Sequence, residues 1–153
     1  MIKFATAILS AGVLFTACRN VGRSPLVLES DIWVAVEGVG GCDTAAERAG
    51  TTAPLPSLEF LSDGQLAGYT SCNSFFGSYS TRRNHGAADR IELTIDGITM
   101  ALCPHSDTEQ RYLDKLSRVR EYAVRERRLQ LKDSTGTTIL VFRPASQLRT
   151  GDR

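Results

Sequence analysis

Alternating apolar and polar residues predict that most of this chain forms β-strands. In "RIELTIDGI", Ile91, Leu93 and Ile95 occupy every second position, which is the period of a strand with one buried face. The stretch "SLEFLSDGQL" predicts a hairpin, because alternating residues flank the turn dipeptide Asp63-Gly64. Further strands are predicted in "DIWVAVE", in "GSYSTR" and in three pieces of "EYAVRERRLQLKDSTGTTILVFRP", with turns near Glu126 and at "DSTG".

One helix interrupts the strands. Ser106 and Glu109 form an S-x-x-E capping box, so the helix is expected to begin at Asp107. Its apolar face is predicted to carry Tyr112, Leu113, Leu116 and Val119. The order of elements is several strands, then one helix, then three further strands. This order predicts an α+β domain, with a curved antiparallel β-sheet (a partly closed barrel) packed on one main helix.

The first eighteen residues predict an exported lipoprotein. Lys3 precedes the apolar run "FATAILSAGVLFTAC", which is too short for a permanent membrane span. Its end resembles a lipobox, which predicts a signal peptide over residues 1–17, acylation of Cys18 and a tether over residues 18–28. An ordinary signal peptide cleaved nearby is the alternative. Arg19 stands where an aspartate would retain a lipoprotein in the inner membrane, so the expected location is the outer membrane, facing the periplasm.

Composition and charge narrow the function. The chain of 153 residues carries 18 basic and 17 acidic residues, and this balance argues against nucleic acid as a partner. About 135 residues after the signal suffice for one domain. Neither a phosphate-binding loop nor a hydrolase or zinc motif is present in the sequence. Cys72 would need a base to act as a nucleophile, and only His85 and His105 are available. We therefore expect no enzymatic activity, no metal and no cofactor.

An ordered set of short motifs resembles the META domain family, whose HslJ-like members are stress-associated bacterial lipoproteins. The motifs are Cys72-Asn73, Phe75-Phe76, Gly77-Ser78-Tyr79, Thr99-Met100, Cys103-Pro104 and the helix residue Glu109. The resemblance places the domain at residues 29–145 and leaves a tail at 146–153. Ser71 departs from the family pattern, which has glycine before the Cys-Asn pair, and Leu102 replaces a small residue.

The resemblance implies a non-enzymatic role in stress tolerance or envelope maintenance, through an envelope protein or an apolar ligand. Asn73, Phe75, Phe76, Gly77 and Tyr79 are its candidate binding residues, with one phenylalanine ring expected to face inward. The alternative function is inhibition of a hydrolase such as lysozyme, which a lysis assay with added protein tests.

The cysteines are expected to form one disulfide bond in an oxidising compartment. Within the resemblance, Cys72 and Cys103 both belong to motifs, so their pairing is favoured. Pairing of Cys42 with either of them stays open.

Basic residues along the helix suggest a second surface. Arg111, Lys115 and Arg118 lie together on a face distinct from the apolar one. This face is either solvated or in contact with anionic lipid head groups.

Overall fold

Eight antiparallel strands in a ring are the main feature of the computed structural model. The structure describes residues 28–39, 55–84, 86, 88–102 and 106–148, with only the backbone for Ser106. The strands are β1 Trp33–Glu37, β2 Ser57–Phe60, β3 Gln65–Tyr69, β4 Ser74–Arg82, β5 Asp89–Ile98, β6 Glu121–Arg125, β7 Arg128–Lys132 and β8 Thr138–Pro144. Helix α1, Ser106–Ser117, joins β5 to β6, and the short helix α2, Ala145–Leu148, follows β8.

The sheet closes on itself. Each strand pairs with the next one along the chain, and β1 pairs with β8 to complete the ring. The prediction of a curved antiparallel sheet is therefore confirmed. Its description as only partly closed is wrong, because sequence periodicity carries no information on which strands meet at the ends of the chain. The helices are a minor component beside the eight strands.

The inside of the ring holds the core. Trp33 and Ala35, rather than Val34 and Val36, face inward on β1. Buried side chains of the other strands include Leu58, Phe60, Leu66, Phe75, Ile91, Leu129, Leu131, Leu140 and Phe142. Helix α1 adds Tyr112 and Leu116, and Val119 lies two residues past its end. Full burial of one such side chain stabilises the fold by about 1.5–3 kcal/mol.

The pairing between β5 and β6 is one of the two shortest in the ring, together with that between β1 and β2. Only Asp89 with Tyr122 and Arg90 with Glu121 form pairs there. The Ile91 amide then donates to the Arg120 carbonyl at 3.0 Å. Beyond this point the two strands separate, and α1 makes the connection between them.

The ends of the chain differ from the prediction at one point. The predicted tail begins at residue 146, but α2 covers Ala145–Leu148 and is attached to the domain. The Ala145 amide donates to the Ile32 carbonyl at 2.7 Å, and the Ser146 hydroxyl donates to the Asp31 carboxylate. Residues 1–27 lie outside the described residues, so the signal peptide and acylation of Cys18 stay predictions. No helix in the described ranges has the length and apolar character needed to cross a membrane.

The β6–β7 hairpin gives a first testable prediction. Its two central residues, Glu126 and Arg127, have φ of 50° and 58°. A two-residue turn with both φ values positive favours Asn-Gly. Replacing Glu126 by Asn together with Arg127 by Gly is expected to stabilise the protein by about 1 kcal/mol, measured by urea unfolding.

The matched control for this turn is Arg127→Ala. It removes the same side chain but keeps a Cβ at positive φ, so it is expected to bring no gain. Equal stability of Arg127→Gly and Arg127→Ala would show that backbone strain at this turn is not the limiting factor.

Candidate functional site

The connection between β3 and β4, residues 70–73, carries the two buried polar side chains found among the described residues. Thr70 is 1% exposed and Asn73 is 4% exposed. The Thr70 amide donates to the Asn73 carbonyl at 2.9 Å, which closes the turn. Ser71 has φ of 85°, so the chain keeps the glycine-like conformation although the residue is serine.

The side-chain amide of Asn73 connects three segments of the chain. Its Oδ1 accepts from the Thr99 hydroxyl at 2.9 Å and from the Ala101 amide at 2.7 Å. Its Nδ2 donates to Glu109 Oε2 at 3.1 Å and lies 3.4 Å from the Ala101 carbonyl. Both lone pairs and both N–H groups are thus engaged. We call Thr70, Asn73, Thr99, Ala101 and Glu109 the Asn73 network.

Glu109 is the member of this network whose role sequence reasoning missed. Its Oε1 accepts from the Thr70 hydroxyl at 2.7 Å, while Oε2 accepts from Asn73. The capping box assigned this carboxylate to the helix backbone, and the helix begins at Ser106 rather than Asp107. Glu109 instead ties the first turns of α1 to a corner 36 to 39 residues earlier. The sequence marked Glu109 only as a capping-box and motif residue, and it gave no sign of this contact.

The two adjacent phenylalanines point to opposite sides of the sheet. Phe75 is 3% exposed and lies over Gly68 of β3, where an added Cβ would be 2.2 Å from its ring. Phe76 is 63% exposed and covers Gly97 of β5 in the same way, at 2.6 Å. The expectation of one inward ring is confirmed. Each ring fills the space that a side chain on the opposite residue would occupy if that residue were not glycine.

Three large apolar side chains are exposed at one end of the β4–β5 hairpin. Met100 is 92% exposed and Leu102 is 103% exposed, and Phe76 on β4 pairs in register with Gly97, three residues before Met100. The Thr99 amide donates to the Ser74 carbonyl at 2.9 Å, so the segment 99–102 continues from the β4–β5 ladder. We call Phe76, Met100 and Leu102 the apolar rim. Hydrogen bonds of the Asn73 network hold Thr99 and Ala101, the residues on either side of Met100.

Cys72 is disulfide-bonded. Its sulfur lies 3.3 Å from Asn73 Nδ2 and 3.6 Å from the Ala101 carbonyl oxygen, at the edge of the Asn73 network. Cys18, Cys42 and Cys103 lie outside the described residues, so the pairing with Cys103 stays a prediction. His85 and His105 lie outside them as well. Within the described ranges no group of three acidic, His or Cys side chains could hold a metal ion.

The three basic residues predicted to share a helix face have different surroundings. Arg111 forms an ion pair with Asp107 at 3.0 Å. Lys115 is half-buried and donates from Nζ to the Gly38 carbonyl at the end of β1. Arg118 is exposed and follows the last helical residue. The structure thus joins Lys115 to the end of β1, while Arg111 and Arg118 stay exposed, and contact of this face with lipid stays a prediction.

Tyr79 packs its ring against the core, and its candidate binding role stays a prediction. Its ring makes an edge-to-face contact with Phe60 at a centroid distance of 4.9 Å. Its hydroxyl lies 2.8 Å from Glu29 Oε1 and 3.2 Å from the Leu61 carbonyl. Burial, followed by the hydrogen bond to Glu29, raises the pKa of Tyr79, and burial alone raises the pKa of Tyr112.

The raised tyrosine pKa values predict a loss of stability in alkali. In the unfolded chain tyrosine ionises near pH 10, whereas in the folded protein it does so only at higher pH. The stabilisation is complete below pH 10 and is lost above it, by about 1.4 kcal/mol per pH unit for the fully buried Tyr112. Tyr112→Phe is expected to make the free energy of unfolding fall less steeply between pH 10 and 12.

Urea unfolding of the wild type and Tyr112→Phe at pH 8, 10, 11 and 12 provides the measurement. The variant loses only a long contact of 3.5 Å to the Ser57 carbonyl, so the two proteins should be similar at pH 8. If the free energy of unfolding fell equally steeply above pH 10 in both proteins, the raised pKa of Tyr112 would not be the cause of the loss.

Comparison with known proteins agrees with this fold. An NMR structure of a protein from Burkholderia xenovorans superposes with a TM-score of 0.55 at 23% identity, covering 95% of this chain and 99% of that one. A crystal structure of a DUF4847 family protein from Bacteroides vulgatus ATCC 8482 gives a TM-score of 0.55 at 13% identity, covering 77% of this chain and 94% of that one. Both likenesses concern the fold alone. A search of curated proteins finds no match.

The family assignment comes from the sequence itself. A family model described as the META domain matches residues 28–146, which is most of the chain. This range includes the 70–73 corner, both phenylalanines, the segment 99–102 and Glu109. The chain therefore belongs to the META domain family.

Proposed function

We propose that this protein is a non-enzymatic, lipid-anchored META domain protein that supports the cell envelope under stress by binding an envelope protein or an apolar ligand. The signal sequence and lipobox of residues 1–18 support a periplasm-facing position on the outer membrane. The observation that carries the binding role is the apolar rim. Its two most exposed members, Met100 and Leu102, project from a segment that hydrogen bonds hold in place.

A fixed apolar surface suits binding better than a flexible one. Large exposed apolar side chains in contiguous groups are typical of interaction sites. The backbone of this segment is already ordered by Asn73, so binding requires little further loss of conformational entropy. Side chains from the strands and α1 occupy the inside of the ring. This favours a partner that contacts the outer surface over a ligand enclosed by the sheet.

In-cell photocrosslinking tests the binding role. A photoreactive phenylalanine analogue replaces Met100 in the intact protein, and the same analogue at Ser78 serves as the control. Ser78 is exposed on the outer face of β4 but lies outside the apolar rim. We expect a specific adduct from position 100 that Leu102→Ser reduces several-fold. Equal adducts from both positions, or none from position 100, would exclude the rim as a binding surface.

The anchor is tested separately. Cys18→Ala is expected to abolish lipid attachment, seen by intact mass, and to move the protein out of the membrane fraction. Cys42→Ala is the matched control and should leave fractionation unchanged. A lipid-free wild type, or a Cys18→Ala variant still found with membranes, would contradict the anchor without affecting the apolar rim.

A further inference from the structure

A polar cleft opens where β5 and β6 separate. It has a volume of about 600 Å³ and lies between the end of β4, the starts of β5 and β6, and the end of α1. Five charged side chains line it: Arg82, Arg90, Glu92, Arg120 and Glu121. The apolar rim has no residue among those lining this cleft, so the cleft is a separate feature.

Two of the arginines are direct neighbours across strands. Arg82 of β4 pairs in register with Arg90 of β5. Residues in such a pair have Cβ atoms about 4.5–5.5 Å apart, and like charges there repel. Both side chains are exposed, and neither makes a hydrogen bond or ion pair with any residue in the described ranges. An anion placed between them would remove this repulsion.

Arg120 is held in position beside the cleft. Its Nη1 donates to the carbonyls of Ser117 at 2.9 Å and Val119 at 2.6 Å, at the end of α1. A guanidinium group has five N–H donors. The three others of Arg120 have no partner within the described part of the chain. The helix end therefore orients a guanidinium group whose further donors remain available.

The two glutamates complete the charge pattern. Glu92 pairs in register with Ser80, and Glu121 pairs in register with Arg90. Neither carboxylate lies within 4.0 Å of a basic group among the described residues, although Arg90 is the direct neighbour of Glu121. The cleft thus contains unpaired charges of both signs, with three positive groups and two negative ones.

We propose that this cleft binds a zwitterionic phosphate ester, in which one end is a phosphate and the other a primary ammonium. Planar guanidinium groups match phosphate oxygens with paired hydrogen bonds, and three of them line this cleft. An ammonium group has three N–H donors, and the carboxylates of Glu92 and Glu121 can accept hydrogen bonds from them. A simple anion uses only the arginines and leaves both carboxylates without a partner. The ester is either a lipid head group or a free phosphoethanolamine-like molecule.

Titration of the purified protein with O-phosphoethanolamine tests the site, with calorimetry and amide chemical shifts as readouts. We expect it to bind at least tenfold more tightly than inorganic phosphate or ethanolamine, with shifts centred on Arg82, Arg90 and Glu121. Absence of binding, or equal affinity for inorganic phosphate and O-phosphoethanolamine, would overturn the proposal.

Charge-neutral variants separate the two halves of the ligand. The double change Arg82→Gln and Arg90→Gln is expected to weaken O-phosphoethanolamine binding at least tenfold. The double change Glu92→Gln and Glu121→Gln should reduce its affinity to that of inorganic phosphate. Arg143→Gln is the matched control, since Arg143 is an exposed arginine on β8, away from the cleft. Equal losses in the control and in the first double variant would refute the site, and thermal melts establish that each variant is folded.

Vesicles distinguish the two sources. Flotation with phosphatidylcholine vesicles, with and without about 30% phosphatidylethanolamine, is compared for Cys18→Ala, which lacks the lipid anchor, and for the same protein carrying the arginine double change. Binding that requires phosphatidylethanolamine and both arginines identifies a lipid head group. Binding of soluble O-phosphoethanolamine alone identifies a free ester. Because neither assay involves Met100 or Leu102, failure here leaves the proposed role of the apolar rim intact.

Discussion

Replacing Asn73 by alanine is expected to destabilise the protein by about 3–5 kcal/mol. The change leaves three groups without their partner: the Glu109 carboxylate, the Thr99 hydroxyl and the Ala101 amide. Thr99 and Ala101 are exposed and Glu109 is half-buried, so each neutral hydrogen bond lost costs about 0.5–1.5 kcal/mol and the one to the carboxylate about 1.5–3 kcal/mol. Urea unfolding at pH 7 measures the loss. Amide chemical shifts of residues 99–102 should change at the same time, since this segment loses its attachment.

Asn84→Ala is the control for this experiment. Asn84 is an exposed asparagine after β4, and its hydrogen bond to Asp89 is made by the backbone. The expected change is within about 0.5 kcal/mol. Asn73→Asp adds a second test, because it keeps the Oδ1 acceptor but places an oxygen where Nδ2 faces Glu109. If Asn73→Ala proves no more damaging than Asn84→Ala, the Asn73 network does not stabilise the fold as described.

The second large effect is expected at Gly77. An added Cβ there would lie 1.9 Å from the Thr94 carbonyl oxygen, which belongs to the backbone of the adjacent strand. The site coincides with a register shift between Phe76 and Gly77, where β4 and β5 approach closely. Relief requires separation of two strands, so Gly77→Ala is expected to destabilise the protein by about 3 kcal/mol or more.

Gly97→Ala provides the matched comparison on the other strand. The three atoms nearest to a Cβ at Gly97 would all belong to the ring of Phe76, with Cε1 and Cζ at 2.6 Å. That ring is exposed and can rotate away, so the expected loss is about 1 kcal/mol or less. Chemical denaturation of both variants gives the comparison. Similar losses at the two positions would mean that contact with backbone does not determine the outcome.

Local patterns predicted the elements of the fold well. The alternation of Ile91, Leu93 and Ile95 marks β5, and the Asp63-Gly64 turn lies between β2 and β3 as expected. These features depend on neighbouring residues, which the sequence displays directly. The same is true of the phenylalanine pair, since adjacent residues of a strand point to opposite faces.

Contacts between residues far apart in the sequence could not be predicted from local patterns. Lys115 donates to a carbonyl 77 residues earlier, and Glu109 contacts the corner across more than 30 residues. The sequence alone offers each side chain a plausible local role, which is the basic helix face for Lys115 and the capping box for Glu109. Tertiary partners decided between these roles, and their positions depend on how the whole ring closes.

Closure of the ring also bears on how the protein folds. Seven of the eight strand pairings join strands that follow one another in the chain, whereas β1 and β8 bring Trp33 to Pro144. The entropy lost on closing a loop grows with the length of the chain that it encloses. Folding through pairings of consecutive strands postpones this loss, and low sequence separation favours rapid formation. The β1–β8 pairing is then the late step that converts a row of hairpins into a cooperative unit.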